Sequence, residues 1–228
     1  MVILAEYSRT ATFAWSQDNI PKLVIGTAAG TVDANFSNES TLELWSLLSP
    51  TPDKPTALLK TDAKFKDLDW SHDNKFIAGA FDNGVIEIFR TTGEGDSNLN
   101  LESVTKISKH SSSVNTLDFN GKQHNLLVSG GAQRGEIFIW DLNKCTNGKS
   151  EAVPGSPGTA ITSIDEVTSV AWNKSLAHVF ASAGATNFAS IWDLKAKKEV
   201  IHLSYMSPTT GLKPQLPLLN GIQLTLLR

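Results

Sequence analysis

The chain of 228 residues contains one cysteine, Cys145, two methionines and two tyrosines. A single cysteine excludes an intramolecular disulfide framework and any cysteine-based zinc site. Charged residues make up 19%, below the usual quarter, so neither a disordered polyampholyte nor a coiled coil fits. Neither sign of charge dominates. Twenty basic against 23 acidic residues give a net charge of −3, with no bulk attraction to nucleic acid or anionic lipid. No apolar run reaches the length of a bilayer-spanning helix. The opening Met-Val-Ile-Leu-Ala-Glu lacks the basic flank and apolar length of a secretory signal. A cytoplasmic location is the resulting expectation. Catalytic signatures are also missing: there is no Gly-x-Ser-x-Gly, P-loop, His-Glu-x-x-His or Gly-x-Gly-x-x-Gly.

What the sequence does have is an internal repeat. Four alternating runs close on an aromatic: Thr12-Phe-Ala-Trp15, Lys66-Asp-Leu-Asp-Trp70, Asn115-Thr-Leu-Asp-Phe119 and Thr168-Ser-Val-Ala-Trp172. Trp15, Trp70, Phe119 and Trp172 are spaced by 55, 49 and 53 residues. Apolar runs ending in small residues follow, and their glycines Gly26, Gly79, Gly130 and Gly184 recur every 53, 51 and 54 residues. A third run then ends on Trp45, Phe89, Trp140 or Trp192.

Each run is short, rich in β-branched and aromatic residues, and bounded by turn formers, so each reads as a strand. Asp82-Asn-Gly84 and Gln133-Arg-Gly135 supply glycines for the positive φ of tight hairpins. A fourth strand is expected near Thr56–Leu59, Val104–Ile107 and Glu199–Leu203. In the third repeat, Glu151-Ala-Val-Pro-Gly-Ser-Pro-Gly158 is too rich in Pro and Gly for more than a frayed edge strand.

Four antiparallel strands at a period near 50 describe β-propeller blades, an all-β fold. The small residues of the second strand fit where inner strands crowd. The aromatics Trp15, Trp45, Trp70, Phe89, Phe119 and Trp172 are expected between adjacent blades. Burying each there is worth roughly 2–3 kcal/mol. All six tryptophans are accordingly assigned to inter-blade core.

At Trp140-Asp141 and Trp192-Asp193 the chain resembles the WD40 repeat family. That resemblance implies a polar network of a loop His, a Ser or Thr, a turn Asp and the Trp. It matches best at His110, Ser129 and Trp140, with Gln133 standing at the turn position. In the second repeat Asp82 fits the turn, Phe89 replaces Trp and the loop His is missing. His110 is expected to be structural, with no second His or carboxylate at ligand spacing beside it in the sequence.

Longer strings narrow the resemblance. They are Leu4-Ala-Glu-Tyr-Ser-Arg-Thr-Ala-Thr-Phe-Ala-Trp15, Asn173-Lys-Ser-Leu-Ala-His-Val-Phe-Ala-Ser-Ala-Gly184 and Phe188-Ala-Ser-Ile-Trp-Asp-Leu-Lys-Ala-Lys-Lys-Glu-Val-Ile-His-Leu-Ser-Tyr205. They are similar to the N-terminal WD40 propeller of the yeast-type outer-coat family of COPII vesicles. This implies a non-catalytic scaffold without metal or cofactor, peripheral on vesicles and endoplasmic-reticulum exit sites. It also implies a second WD40 subunit and other coat subunits as protein partners, and no nucleic acid. A generic WD40 adaptor of another cytosolic complex is the alternative that the repeats alone allow.

The blades are expected at about 8–60, 61–108, 109–160 and 161–205, four of an originally seven-bladed ring. Residues 1–7 would be a strand completing a missing last blade. Closure as a compact four-bladed ring is disfavoured, because wedge angles suited to seven blades do not close at four. Residues 206–228 form a non-repeat tail. Where the family continues Ser-Val-Val-Glu-Trp-His-Pro, this chain has Pro217-Leu-Leu-Asn-Gly-Ile-Gln223, which a one-base shift of that string encodes. The tail is therefore expected to be an out-of-frame, prematurely ended reading.

The remaining chemistry-bearing residues draw structural expectations. His72, His124, His178 and His202 are scattered over separate blades. Asp165-Glu166 lacks a partner pair. Cys145 reads as a free thiol in a turn. Asp69 and Asp118 are expected to cap turns or sit on exposed strand faces. Lys195-Ala-Lys-Lys198 reads as a solvated turn, and Asn143 to Ile164 as a flexible loop.

Overall fold

Alternating small, β-branched and aromatic residues build sixteen strands in the computed structural model. It describes residues 10–28, 39–46, 54–93, 99–133, 135–145, 152–153, 166–185 and 188–204. The segments expected to complete a last blade (1–7) and to form the tail (206–228), and most of the 143–164 insert, lie outside these residues. Among the described residues no helix is long and apolar enough to cross a membrane.

The strands form four antiparallel sheets, each in sequential order. The first holds β1 (Ala11–Trp15), β2 (Lys22–Thr27), β3 (Ser40–Ser46) and β4 (Ala57–Thr61). The second holds β5 (Phe65–Trp70), β6 (Ile77–Phe81), β7 (Val85–Thr92) and β8 (Asn100–Ser108). The third holds β9 (Val114–Phe119), β10 (Leu126–Gly131), β11 (Ile137–Asp141) and β12 (Ala152–Val153), with a one-turn α1 (Leu142–Cys145) after β11. The fourth holds β13 (Val167–Trp172), β14 (Val179–Gly184), β15 (Phe188–Asp193) and β16 (Lys198–Ser204). Each sheet is the four-stranded antiparallel blade that the repeat predicts. The hairpin glycines take the backbone expected of them, Gly84 at φ 84° and Gly135 at φ 60°. The Pro/Gly-rich stretch leaves only two residues, Ala152 and Val153, paired to β11.

Two compact units divide the chain, residues 1–109 and 110–228. In the first unit, Ala14, Val24, Leu42 and Leu44 on one face of the first sheet join Phe65, Leu68, Trp70, Ile77 and Phe89 of the second in one buried cluster. Phe65 is its centre. A Cβ added at Gly26 or at Gly79 would come within 2.6 Å of the Phe65 ring. The two glycines therefore make the slot that the ring fills. In the second unit, Val128, Ile137 and Ile139 of the third sheet pack with Val167, Val170, Trp172, Phe180 and Trp192 of the fourth.

Both units use one packing rule: an aliphatic face with a glycine in its second strand receives the aromatic face of the following sheet. Each such aromatic contributes roughly 2–3 kcal/mol by burial. The rule corrects one expectation. Phe13 and Trp15 lie on the face of β1 opposite Ala14, and they stand 61% and 43% exposed. Trp15 is thus not inter-blade core here, because the packed face of its own sheet is the other one. Trp45, opposite Leu23 in the same register, is half-buried, whereas Trp70, Phe89, Phe119 and Trp172 are buried.

Asp118 is a second correction. It neither caps a turn nor faces solvent. Its carboxylate accepts the Trp172 backbone N–H, and its carbonyl accepts the Trp172 indole Nε1–H at 3.0 Å. It ties β9 to β13.

Candidate functional site

The register of the sheets places four residues at one equivalent position. Leu23, Ile77, Leu127 and Phe180 each sit between the closing aromatic of the first strand and that of the third. Two residues further along are Ile25, Gly79, Ser129 and Ser182. Which residue stands there decides what the third-strand aromatic can do.

In the third sheet it is Ser129. The Trp140 indole Nε1 donates to Ser129 Oγ at 2.8 Å, and Ser129 Oγ lies 2.8 Å from His110 Nε2. Ser129 and Trp140 are fully buried and His110 is 8% exposed. The other ring nitrogen, Nδ1, is 3.4 Å from Glu136 Oε2. An indole can only donate, and a carboxylate can only accept. The consistent arrangement is a relay: Trp140 to Ser129, Ser129 to Nε2, and Nδ1–H toward Glu136. The His110 ring also meets the Phe138 ring edge-on, with centroids 4.7 Å apart.

Glu136 is the residue that sequence reasoning missed, and the statement that no carboxylate stands beside His110 is corrected. Gln133 at the turn is exposed, and its carbonyl merely accepts the Glu136 amide at 3.3 Å. The carboxylate enters from the end of the hairpin instead, just after Gly135. Glu136 also accepts the Ser111 N–H at 2.9 Å, which fastens the loop carrying His110. Gly131 makes room, because a Cβ there would lie 2.6 Å from His110 Nδ1. The available signal was a carboxylate inside the β10–β11 hairpin, at a spacing the family pattern does not use.

Burial pushes the His110 pKa down to about 4, and Glu136 opposes this only in part. At neutral pH the ring is uncharged and already engaged at Nε2. It offers neither a base open to substrate nor a metal ligand. The network's chemical effect is to hold a loop and two strands together.

The other sheets lack the complete set. In the fourth, Trp192 Nε1 donates to Ser182 Oγ at 2.8 Å. In the second, Phe89 meets Gly79, where an added Cβ would stand 3.3 Å from the ring. In the first, Ile25 offers no acceptor, and the Trp45 indole turns to Glu43 Oε2 at 3.0 Å. In the third and fourth sheets Trp goes with Ser and in the second Phe goes with Gly, a hydroxyl serving an indole and an absent side chain admitting a phenyl ring, while Trp45 beside Ile25 takes its acceptor from Glu43.

The aspartates predicted with these aromatics serve turns. Asp141 accepts Asn125 Nδ2 at 2.7 Å and the Asn143 amide at 3.1 Å. Asp193 accepts the Lys195 amide at 2.8 Å and the Ala196 amide at 3.3 Å. Asp82 is exposed and accepts the Lys64 N–H at 3.3 Å, clasping the β6–β7 turn to the start of β5. Of the expected network residues, the fold brings together His110, Ser129 and Trp140. Asp141, Asp193 and Asp82 stand apart from that network. Cys145 ends α1. Glu166 accepts Asn115 Nδ2 at 2.8 Å.

Comparison with known proteins agrees with this geometry. The family model "WD domain, G-beta repeat" matches residues 101–141, which include His110, Ser129 and Trp140. The chain is 63% identical over 216 residues to "Protein transport protein SEC31" of Saccharomyces cerevisiae, covering 95% of this chain and 17% of that protein. It is 62% identical over 213 residues to the protein of the same name in Candida glabrata, covering 93% of this chain and 16% of that one. The chain thus spans about a sixth of the length of these curated relatives. Among solved structures it is similar to a chain of "COPII on membranes, outer coat vertex", with a TM-score of 0.82 and 62% identity over 92% of this chain and 54% of that one. A chain of "The structure of the COPII coat assembled on membranes" gives the same TM-score and identity over 92% of this chain and 30% of that one.

Proposed function

We propose that the chain is a WD40-repeat protein and acts as a non-catalytic protein-interaction scaffold in the outer cage of the COPII coat. Its place is in endoplasmic-reticulum-to-Golgi transport, in the cytoplasm and peripheral on coated vesicles and exit sites. The observation that carries this reading is identity above 60% to SEC31 propellers along nearly the whole chain, on the same fold. The site chemistry supports it. The His110 network is buried and occupied with structural bonds, and the exposed features are loops and a sheet face. Propeller surfaces of that kind bind macromolecules. The partners are proteins: a second WD40 subunit of the outer coat and other coat subunits. Neither a nucleic acid nor a cofactor enters the reading.

Affinity isolation of the tagged chain from yeast cells tests it. Coat subunits should be recovered above an unrelated WD40 control. Recovery of other complexes without any coat subunit would overturn the proposal in favour of an adaptor in another pathway.

A further inference from the structure

One end of the second unit gathers six exposed lysines among its described residues. Four loops meet there: 120–125 after β9, α1 after β11, 173–178 after β13, and the 194–197 turn into β16. Hydrogen bonds stitch them together. Asn120 Nδ2 donates to the Ala177 carbonyl at 2.7 Å, the Leu142 amide to the Asn125 carbonyl at 2.9 Å, and the Leu194 amide to the His178 carbonyl at 2.9 Å. These loops and the first residue of β16 bear Lys122, Lys144, Lys174, Lys195, Lys197 and Lys198, all exposed.

None of the six is ion-paired with a described residue. Three described carboxylates stand among them and keep their charge: Asp141 and Asp193, which accept from the turns above, with Asp193 also feeling the Lys195 charge, and Glu199, which meets His202 Nδ1 at 2.9 Å. The corresponding loops of the first unit differ. There Lys22 pairs with Asp18 at 3.0 Å and Lys75 with Asp73 at 3.1 Å. In a chain of net charge −3, six lysines against these three carboxylates leave a local excess of positive charge at this end.

Their backbones are held in place. Asn120 Oδ1 accepts the Lys122 and Gln123 amides, each at 2.9 Å, and Asn173 Oδ1 accepts the Ser175 and Leu176 amides, each at 2.8 Å. Such side-chain-closed turns present the lysines with little ordering left to do on binding. Leu176, 44% exposed, is the one large apolar side chain exposed in these loops.

We propose that this lysine rim of the second unit docks a polypeptide segment rich in Asp and Glu. The rim bears lysines and no arginine among the described residues, so it offers point charges rather than the bidentate fork that suits phosphate. A single exposed leucine is too little apolar surface to anchor the rim in a bilayer interface. A partner with spaced carboxylates satisfies six separate ammonium groups, and one aliphatic side chain of such a segment covers Leu176. The inference rests on the scaffold reading only in giving the surface to a protein partner.

Fluorescence anisotropy of the full chain with a labelled Glu-rich peptide of about ten residues tests it. Binding should weaken on the order of tenfold as salt rises from about 50 to about 200 mM. It should also fall on the order of tenfold in the quadruple variant K122E/K174E/K195E/K197E, while K54E/K66E, which changes only the first unit, binds as the parent does. If the quadruple variant loses its near-ultraviolet circular dichroism, the matching Lys→Gln variant replaces it. Absence of peptide binding at low salt overturns the proposal, as does undiminished binding by the rim variant. Binding to phosphatidylserine vesicles without peptide binding overturns it too. In all three cases recovery of coat subunits would still stand, so failure here is separable from failure of the scaffold reading.

Discussion

At the residue scale, the buried serines carry more than their size suggests. Ser129 accepts from Trp140 and faces His110, so Ser129→Ala strands an indole donor and a ring nitrogen in the core. A buried unsatisfied group costs about 1–3 kcal/mol. Ser129→Ala should therefore lower stability by about 2–4 kcal/mol in urea denaturation, two such groups being stranded. Ser182→Ala strands only the Trp192 indole and should cost about 1–3 kcal/mol. Equal losses in both would contradict the three-member network.

His110 adds a pH dependence. Its folded pKa lies near 4, below the ordinary 6.5. As pH falls below 6.5, the unfolded chain takes up a proton that the folded chain refuses until about pH 4. Stability should therefore be full above pH 6.5, decline across that window by something on the order of 3 kcal/mol, and level off below it. The His110→Gln variant should be flatter across the same window, measured by urea midpoints at stepped pH. A parent and variant with the same slope would mean that His110 titrates normally.

At the element scale, the slot between the first two sheets is the point of greatest sensitivity in the first unit. Phe65 is wholly buried between Gly26 and Gly79, and Phe65→Ala should cost about 3–5 kcal/mol by urea denaturation. The opposite face of the first sheet behaves differently. Phe13 and Trp15, both exposed, lie on it beside Leu23 and Ile25, and apolar surface of that kind binds hydrophobic dyes. The double variant Phe13→Ser/Trp15→Ser should lose much of the anilinonaphthalene sulfonate fluorescence of the parent, with stability changed by less than about 1 kcal/mol. Dye binding that persists unchanged would place the apolar surface elsewhere.

The strands themselves were largely legible, because a two-residue period with Gly, Asn and Asp boundaries is a local signal. Phe89 and Trp192 close the third strands as expected, but their pairing with Gly79 and Ser182 came from the register, since the sequence repeat aligned Gly79 with Gly184. Trp15 was not legible. Its sequence context matches that of Trp70, yet one is exposed and the other buried. A strand's pattern says which side chains share a face, but not which face another sheet will cover. Glu136 escaped for a related reason. The carboxylate that reaches His110 comes from a neighbouring loop position, and only the folded hairpin brings it within 3.4 Å.

At the scale of the whole molecule, the comparisons concern a region and not a complete relative, so function is best tested by exchange. Replacing the matching 216-residue stretch of the Saccharomyces cerevisiae relative with the present sequence should give a chimera that still co-isolates the proteins the unaltered relative does. Loss of those partners from a soluble, folded chimera would show that the positions differing between the two carry the association. The sequence alone determined the repeat, the strand order, the hairpin turns and the WD40 likeness, since each arises from neighbours in the chain or from a fixed period. Tertiary structure decided which aromatics are buried, which carboxylate faces His110, and which lysines gather at one end of the second unit. Those depend on distances between segments some 15 to 75 residues apart in the chain, and a linear pattern does not encode how closely such segments approach once packed.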